Sequence, residues 1–449
     1  MLVGLLLLFN SGKEDYRTNS SLLQQQLKEE PRQFLKRPWN LVRMYVSRNS
    51  DERQYFAYTQ LLRGADVDRA DLSERRAVSQ EDLRISNGSQ MRLPHRDFSV
   101  EYPPLFWVAI LPPAWFVNTL AGYRLSFGLW MACMMFATVL LAWDMRRRSD
   151  SEVSLADVSQ RAFWLCLTIG PLLVIRFDVF PALLTALAAE CILARRLGLA
   201  GFVLGLAIVV KVYPILLVPV SFAVIAGEVG WKASVPNLVR FSTGLILAVA
   251  VVVLPFLAVT KYAFIADLAS HAQRPLEIES VLATPLLLFE SSHSFHSFGS
   301  INLAAPGSVA MAWISGPLTL LLVAFSAWLT FRVAVRDRRL ALVEGCLLTL
   351  LAALIGSRVL SAQYILWPLP FVLAMGGRQG RLCAIALGVA ALLAQLWYPL
   401  FWKAVVELKP GAIALLIARN SLLVAIFVGT AIRLVRLGGL LSGQRRVSA

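Results

Sequence analysis

The chain has 449 residues, of which 57% are hydrophobic and 16% are charged, and its mean hydropathy is +0.63. Soluble domains have about a quarter of their residues charged, so this composition excludes a soluble globular protein and predicts a polytopic helical membrane protein. The net charge of +15 comes mostly from short basic clusters between apolar segments. No aromatic-lined basic groove accompanies them, which excludes nucleic acid as a partner.

The chain starts with a short apolar segment and a long polar stretch. Met1 to Phe9 is too short to cross a bilayer, which takes about 20 residues, and we interpret it as the outer end of a first helix whose beginning is missing. The segment Leu105 to Val117, interrupted by Pro112 and Pro113, is predicted to be an interfacial helix. The predicted regions are a first outer loop (10–121), transmembrane helices (122–259), a second outer loop (260–307) and C-terminal transmembrane helices (308–449).

Arginine clusters orient the predicted spans. When the apolar segments are threaded alternately, the clusters in short loops share one side and both long polar loops share the other. The positive side is then cytoplasmic, which places the protein in the cell membrane with its outer loops extracytoplasmic. The fold class is an all-α polytopic membrane protein, a single integral domain (1–449) of about 11–12 transmembrane helices. The eleven spans after the first segment are Tyr123–Trp143, Ala162–Ile175, Val179–Ala194, Leu199–Val210, Ile215–Ile225, Phe241–Val259, Ser308–Phe331, Leu342–Ile355, Tyr364–Met375, Leu382–Trp397 and Ile413–Ile432.

Charged residues gather where the outer loops meet the membrane. Because a charge near hydrocarbon costs several kcal/mol, they indicate a reaction centre at the membrane surface. A carboxylate among positive groups can accept a proton from a hydroxyl, and Arg or Lys at the boundary can bind a lipid-linked phosphate. The outward-facing acids are Asp51, Glu52, Asp97, Glu101, Asp178, Glu277 and Glu279. The outward-facing positive residues are Arg96, Arg176, Lys211, Arg274, Arg358 and Lys403.

Three further features concern the candidate site and the membrane interface. Lys211 precedes the helix-breaking Pro214, and it either serves the site or extends its ammonium to the membrane interface. The sequence indicates no definite cofactor and leaves a divalent metal ion as an alternative, because His293 and His296 have ligand spacing in an apparently solvated loop. The tryptophans at 107, 115, 397 and 402 fit an interfacial aromatic belt.

An ordered set of motifs spans residues 51 to 367. Asp51 and Tyr55 precede the run Phe56–Gly64, and a later block from Pro94 to Leu105 reads Pro-His-Arg-Asp-Phe-Ser-Val-Glu-Tyr-Pro-Pro-Leu. Three shorter matches follow, namely Lys211–Pro214, Arg274 with Glu279-Ser280, and Ser361–Trp367. With this set the chain resembles the GT-C type glycosyltransferases, specifically glycosyltransferase family 87, whose members use polyprenyl-phosphate sugars and include mannosyltransferases. His95 replaces the usual Tyr, and residues 66–90 form an insertion that lengthens the outer loop.

The resemblance implies a hexosyltransferase and assigns roles within it. Asp51 would be the base that activates the acceptor hydroxyl, with Asp97 as the second candidate for this catalytic role. The donor would be a polyprenyl-phosphate-linked hexose, such as mannose, and the acceptor a glycolipid or cell-envelope glycan, with membrane lipids around both. Transfer would be inverting. The substrate-binding residues would be Glu101, Tyr102, Lys211, Tyr213, Arg274, Glu279, Arg358, Gln363 and Tyr364.

Two alternatives stay open from the sequence. A transporter of a small solute would need ionisable groups near the middle of the bilayer on broken helices, where Lys211 and Glu190 are the candidates. A transferase or ligase of the same architecture that uses a lipid-pyrophosphate donor is not distinguished by these motifs.

Overall fold

The computed structural model describes residues 51–65, 93–98, 100–148, 152–261 and 263–439. The predictions for Met1 to Phe9 and for the insertion lie outside these residues. Within them the chain is almost entirely helical, and one two-stranded sheet completes the secondary structure. This confirms the all-α class.

The elements follow the predicted order of loops and spans. The helices before the second polar loop are α1 (Asp51–Leu62), α2 (Phe106–Ala114), α3 (Leu120–Arg147), α4 (Leu155–Ile169), α5 (Leu172–Ile175), α6 (Val179–Leu193), α7 (Leu197–Val210), α8 (Val218–Val229) and α9 (Trp231–Thr260). The second loop contains α10 (Ala263–Ala269), β1 (His293–Ser297) and β2 (Ser300–Ala304). The last helices are α11 (Ser308–Ala334), α12 (Arg338–Gly356), α13 (Leu369–Ala374), α14 (Gly377–Gln395), α15 (Trp402–Val406) and α16 (Pro410–Leu437). Short 3₁₀ turns lie at Tyr213–Leu217, Ser270–Gln273, Val281–Ala283, Leu286–Leu288 and Ala362–Leu366, and a π turn lies at Leu396–Leu400.

Helices coincide with all eleven spans predicted after the first segment. In the described residues, α3, α9, α11, α12, α14 and α16 are long and apolar enough to cross a membrane, and shorter apolar helices lie between them. Helix α12 is central, because 83% of its apolar 18-residue stretch is buried. In the corresponding stretches of α9 and α11, only 17% is buried. Their outer faces expose large apolar side chains such as Leu254 and Leu320, as expected of surfaces in contact with lipid. The protein is therefore a multi-pass membrane protein.

One end of the helical bundle collects arginines and their carboxylate partners. Arg433 Nε lies 2.8 Å from Glu344 Oε1, and Arg147 at the end of α3 pairs with Asp144. Two further pairs join neighbouring helices at this end, namely Arg148 with Glu190 and Arg195 with Glu228. We call this end the arginine face, and the opposite end of the helices, where the two polar loops lie, the cavity face.

Glycines allow α7 and α9 to pack in parallel at very short range. A Cβ atom at Gly201 would overlap the carbonyl oxygen of Phe241, and one at Gly244 would overlap that of Gly198. Small residues permit such close backbone contact between helices in a membrane, where packing rather than the hydrophobic effect holds helices together.

Gly244→Ala tests this contact. Because the added methyl group overpacks a tight interface, we expect a destabilisation of about 1–3 kcal/mol, measured as a lower Tm of the protein in detergent. Gly316→Ala is the matched control, since no atom lies within 4 Å of the Cβ position of that helical glycine. Equal Tm values for the two variants would contradict the close contact.

The second polar loop contains a hairpin where the sequence predicts a solvated loop. His293–Ser297 pairs antiparallel with Ser300–Ala304. Phe298 and Gly299 form the two-residue turn, with φ of 52° and 67°, as the right-handed twist of a tight hairpin requires. His293 and His296 are exposed, which agrees with the predicted solvation, and pairing with β2 gives this part of the loop a strand conformation.

Candidate active site

A cavity of about 990 Å³ lies at the cavity face and collects most of the predicted site residues. Asp51 from the first polar loop and Glu279 from the second line this same cavity. The predicted residues in its lining are Asp51, Glu101, Tyr102, Lys211, Tyr213, Arg274, Glu279, Gln363 and Tyr364. The structure thus brings together residues that lie up to 313 positions apart in the chain.

Asp51 forms an ion pair with Arg176 at one side of the cavity. Asp51 is the first residue of α1, where a carboxylate interacts favourably with the helix dipole. Arg176 follows the short helix α5 in an extended conformation. Both side chains are at least nine-tenths buried. A guanidinium next to a buried carboxylate favours its ionised form, which is the form that accepts a proton.

Lys211 is fixed inside the cavity lining, not extended to a lipid interface. It follows α7 in extended conformation, because Pro214 prevents the helix from continuing. Its Nζ lies 2.6 Å from Asp178 Oδ1, and the Trp367 indole N–H donates to the same oxygen at 2.8 Å. The interpretation as an interfacial lysine is therefore wrong for this structure.

Aromatic rings surround the Lys211 ammonium. Its Nζ lies 4.8 Å from the Phe177 ring centroid and 5.2 Å from that of Tyr364. Tyr213 and Trp367 stack at 3.9 Å with their planes 4° apart. Such rings attract a cation and exclude water from it, so they hold the ammonium at the cavity beside its carboxylate partner Asp178.

Two glutamates of the second polar loop lie next to a buried arginine. Arg419, within α16, donates to the Glu279 backbone carbonyl at 2.6 Å, and its Nη2 lies 3.9 Å from Glu279 Oε2. Burial raises the pKa of Glu279 well above its ordinary value, Glu277 raises it further, and Arg419 opposes this. Burial also raises the pKa of Glu277, against the effect of Arg274 and of the hydrogen bond donated by the Leu360 N–H.

Two predicted site residues lie outside the cavity lining. Asp97 binds Arg96 and accepts a hydrogen bond from the Leu93 N–H at 2.7 Å, so it stabilises its own turn. Arg358 donates to the carbonyl oxygens of Ala272 and Arg274 at 2.9 and 3.3 Å. Arg358 therefore holds the loop that presents Arg274.

Contacts between the two polar loops close one side of the site. His95 Nδ1 lies 2.8 Å from Asp267 Oδ2, which also accepts from the Val100 N–H at 3.2 Å. His271 Nε2 lies 2.9 Å from the Glu101 carbonyl oxygen. Because α10 and the turn after it provide Asp267 and His271, the second loop fixes the position of Glu101.

Several cavity residues are not singled out by sequence alone. Arg176 and Glu277 appear among the outward-facing charges, but nothing in the sequence shows that Arg176 faces Asp51. Trp397 belongs to the predicted aromatic belt, yet it is buried and lines the cavity. Trp107 is also buried, so only the exposed Trp115 fits that belt well. The signal for Arg176 is its place in Arg-Phe-Asp immediately before a helix, a pattern too short to be specific.

The histidines proposed for a metal lie on the hairpin. His296 lines the cavity, and His293 is three residues away on the same strand. In the part of the chain that the structure describes, no group of three or more His, Cys, Asp or Glu side chains could hold a metal ion.

The buried carboxyl group of Glu52 makes the stability of the folded protein depend on pH. Burial raises its pKa from 4.5 to about 7, against the opposing charge of Arg124 on α3, where Tyr123 also faces it. A raised pKa means that the folded state binds the proton more tightly than the unfolded state. The stabilisation is complete below about pH 4.5 and is lost as the pH rises through about 7.

Glu52→Gln tests this linkage. We expect the Tm of wild type to fall between about pH 5 and about pH 8, and that of Glu52→Gln to fall less. Glu290→Gln is the control, because Glu290 is exposed at the cavity face. Parallel pH profiles for wild type and Glu52→Gln would contradict the raised pKa.

Residues 100–361 match the family model of glycosyltransferase family 87. The match covers more than half of the 449 residues and includes Glu101, Lys211 and Glu279 of the cavity. The chain belongs to glycosyltransferase family 87. This confirms the resemblance drawn from the motifs, and the protein is a membrane glycosyltransferase, consistent with a GT-C type enzyme.

Part of the cavity lies outside the stretch that matches family 87. Asp51 precedes it, and Tyr364, Trp397 and Trp402 follow it. A search of curated proteins finds no match to the chain. Because this family 87 member is an enzyme, the transporter alternative is not retained. Glu190, the other candidate for that alternative, lies on the arginine face in its pair with Arg148.

Proposed function

We propose that the protein transfers a hexose, specifically mannose, from a polyprenyl-phosphate donor to a glycolipid or cell-envelope glycan. Transfer inverts the configuration at the anomeric carbon. The catalytic base is Asp51, and the cations that line the cavity bind the donor phosphate. No cofactor is included in this mechanism.

One observation carries the proposal. A buried carboxylate, Asp51, lines the same cavity as the cations Arg176, Lys211 and Arg274. A transferase that expels a phosphate needs a base for the incoming hydroxyl and positive charge for the leaving group. A cavity at one end of apolar helices also allows a lipid tail to stay in the bilayer while the headgroup enters.

The reaction follows from these groups. The acceptor oxygen forms a bond to the anomeric carbon as the bond from that carbon to the phosphate oxygen breaks. The acceptor proton passes to the Asp51 carboxylate, and the electron pair of the broken bond leaves with the lipid phosphate. Lys211 and Arg274 stabilise the charge that grows on this phosphate, and Arg176 holds Asp51 in position. Attack from the face opposite the leaving group gives inversion.

The cavity face is proposed to be extracytoplasmic, because the positive-inside rule places the arginine face in the cytoplasm. With this orientation, the proposed arrangement is a single integral domain with outer loops at 10–121 and 260–307. A cysteine-free background with Lys403→Cys or Arg378→Cys tests the orientation, since both residues are exposed and lie at opposite faces. A membrane-impermeant maleimide should label only Lys403→Cys in intact cells. Labelling of Arg378→Cys alone would reverse the orientation.

The donor is tested with purified protein in proteoliposomes. Radiolabelled polyprenyl-phosphate mannose, polyprenyl-phosphate glucose, a polyprenyl-pyrophosphate sugar and GDP-mannose are compared, with a membrane glycolipid extract and octyl α-mannopyranoside as acceptors. We expect label in product from polyprenyl-phosphate mannose, with the opposite anomeric configuration by NMR. Transfer from the pyrophosphate donor or the nucleotide sugar alone would overturn the donor class, and a retained configuration would overturn the inversion.

A further inference from the structure

Three aromatic residues form a cluster at the far end of α14. The helix ends at Gln395, and Tyr398 adopts a non-helical conformation in the following turn. The Trp397 and Trp402 rings lie 5.8 Å apart with 22° between their planes, and the Tyr398 ring lies 4.7 Å from Trp402. All three line the cavity. We call Trp397, Tyr398 and Trp402 the aromatic trio.

The hairpin turn adjoins this trio. Ser294 on β1 donates from its hydroxyl to the Val406 carbonyl at 2.7 Å, which holds the hairpin against α15. Arg274 donates to the Phe298 carbonyl at 2.8 Å and fixes the turn from its other side. The hairpin residues that line the cavity are His296, Ser297, Phe298, Gly299, Ser300 and Ile301. They add one more aromatic ring and several hydroxyl groups to the wall.

Two buried polar atoms in the same wall make no hydrogen bond within the described residues, although Arg419 lies 3.9 Å from one of them. The Trp397 side chain is 1% exposed, and its indole N–H makes no hydrogen bond within the described residues. Glu279 is 7% exposed, and its Oε2 likewise has no hydrogen-bond partner there. A buried donor or acceptor without a partner costs about 1–3 kcal/mol. A ligand that donates to Glu279 and accepts from Trp397 would remove this penalty.

This combination matches the chemistry of a pyranose ring. A sugar has an apolar face of C–H groups, which packs on aromatic rings, and hydroxyl groups that both donate and accept hydrogen bonds. An aliphatic chain could pack on the rings but would leave Trp397 and Glu279 unsatisfied. The wall also differs from the Lys211 region, where a cation and its carboxylate partner suit a phosphate.

Resting on the proposed function, we infer that the aromatic trio and the hairpin turn form the subsite for an acceptor sugar. The acceptor is therefore a carbohydrate, whereas an aliphatic alcohol lacks the ring that this wall binds. Trp402 packs against the sugar face, and Glu279 and Trp397 bind its hydroxyl groups. These residues determine acceptor specificity and have no part in binding the donor phosphate.

Steady-state kinetics of Trp402→Ala test the inference, with polyprenyl-phosphate mannose as donor and octyl α-mannopyranoside as acceptor. Because loss of an aromatic contact reduces binding by roughly tenfold, we expect a roughly tenfold higher acceptor KM and a donor KM within about twofold of wild type. Trp402→Phe should lie between wild type and Trp402→Ala. Trp313→Ala is the matched control, since Trp313 is 76% exposed on α11 and does not line the cavity. Phe298→Ala serves as the second variant should Trp402→Ala fail to fold, because the Phe298 side chain lies in the hairpin turn and is 39% exposed.

Two results would overturn the subsite. One is decanol accepting the hexose as efficiently as the octyl glycoside in wild type. The other is a Trp402→Ala variant that lowers kcat with both KM values unchanged, which is the signature of a structural role.

Binding without turnover separates this inference from the proposed function. Titration with octyl α-mannopyranoside in the absence of donor should change the tryptophan fluorescence of wild type to saturation, and octanol should not. The change should be lost in Trp402→Ala and kept in Trp313→Ala. Saturable glycoside binding without transfer from any donor would leave the sugar subsite standing and overturn the proposed reaction. Transfer with no glycoside binding would do the reverse.

Discussion

Replacing Asp51 with Asn is expected to lower kcat by about 10²- to 10⁴-fold, because it removes the group that accepts the acceptor proton. Asparagine has nearly the same shape and can still accept a hydrogen bond from Arg176, but it leaves this buried guanidinium without its charge partner, so Tm is measured alongside kcat. The measurement is transfer of label from polyprenyl-phosphate mannose to octyl α-mannopyranoside, with the donor KM determined in parallel. A loss confined to kcat identifies the proton transfer.

Asp97→Asn is the comparison that assigns the base. Asp97 binds Arg96 and the Leu93 N–H outside the cavity lining, so this variant should keep most of the activity. Full activity in Asp51→Asn together with loss in Asp97→Asn would transfer the role to Asp97. Loss in both variants with unchanged Tm values would mean that the first polar loop must be intact for catalysis.

The second large effect is expected at the pair of Lys211 and Asp178. Lys211→Met removes a cation from the leaving group, and loss of one such stabilising group typically lowers kcat by about 10²- to 10³-fold. It also leaves Asp178, 1% exposed, without its ammonium partner. Breaking a buried pair on one side destabilises a protein by about 3–5 kcal/mol, so Tm should fall together with activity.

The double variant Lys211→Met with Asp178→Asn separates these two effects. The asparagine removes the uncompensated charge and still accepts from the Trp367 N–H. We expect the double variant to regain most of the lost Tm and little of the lost activity. Recovery of both would show that Lys211 acts only by neutralising Asp178.

Much of the fold follows from the sequence because apolar length and arginine position are strong signals in a membrane protein. The helices that coincide with the predicted spans show this, as does the collection of arginine clusters at one end of the bundle. Neither signal predicts the hairpin of His293–Ser297 and Ser300–Ala304. Its first strand is rich in serine and histidine, and only pairing with β2 across the Phe298-Gly299 turn makes it a strand.

The sequence predicts which residues line the site better than it predicts which of them contact one another. The resemblance to family 87 identifies Asp51, Lys211 and Tyr364, all of which line the cavity. The ion-pair partners of Asp51 and Lys211 depend on how the helices pack. From the sequence alone, Arg176 could equally have faced lipid headgroups. Asp97 and Arg358 are charged residues of the two polar regions, as predicted. Their side chains, however, bind nearby backbone groups and do not line the cavity.

The glycine contact between α7 and α9 also sets the height of Lys211 relative to the second polar loop. Helix α7 ends directly before Lys211, and α9 leads into α10, which provides Asp267. A slip of one residue between the two helices would shift them by about 1.5 Å, and a misplacement of about 1 Å can cost 10²-fold in rate. The absence of side chains at Gly201 and Gly244 therefore keeps Lys211 in register with the second polar loop, although both glycines lie well below the cavity.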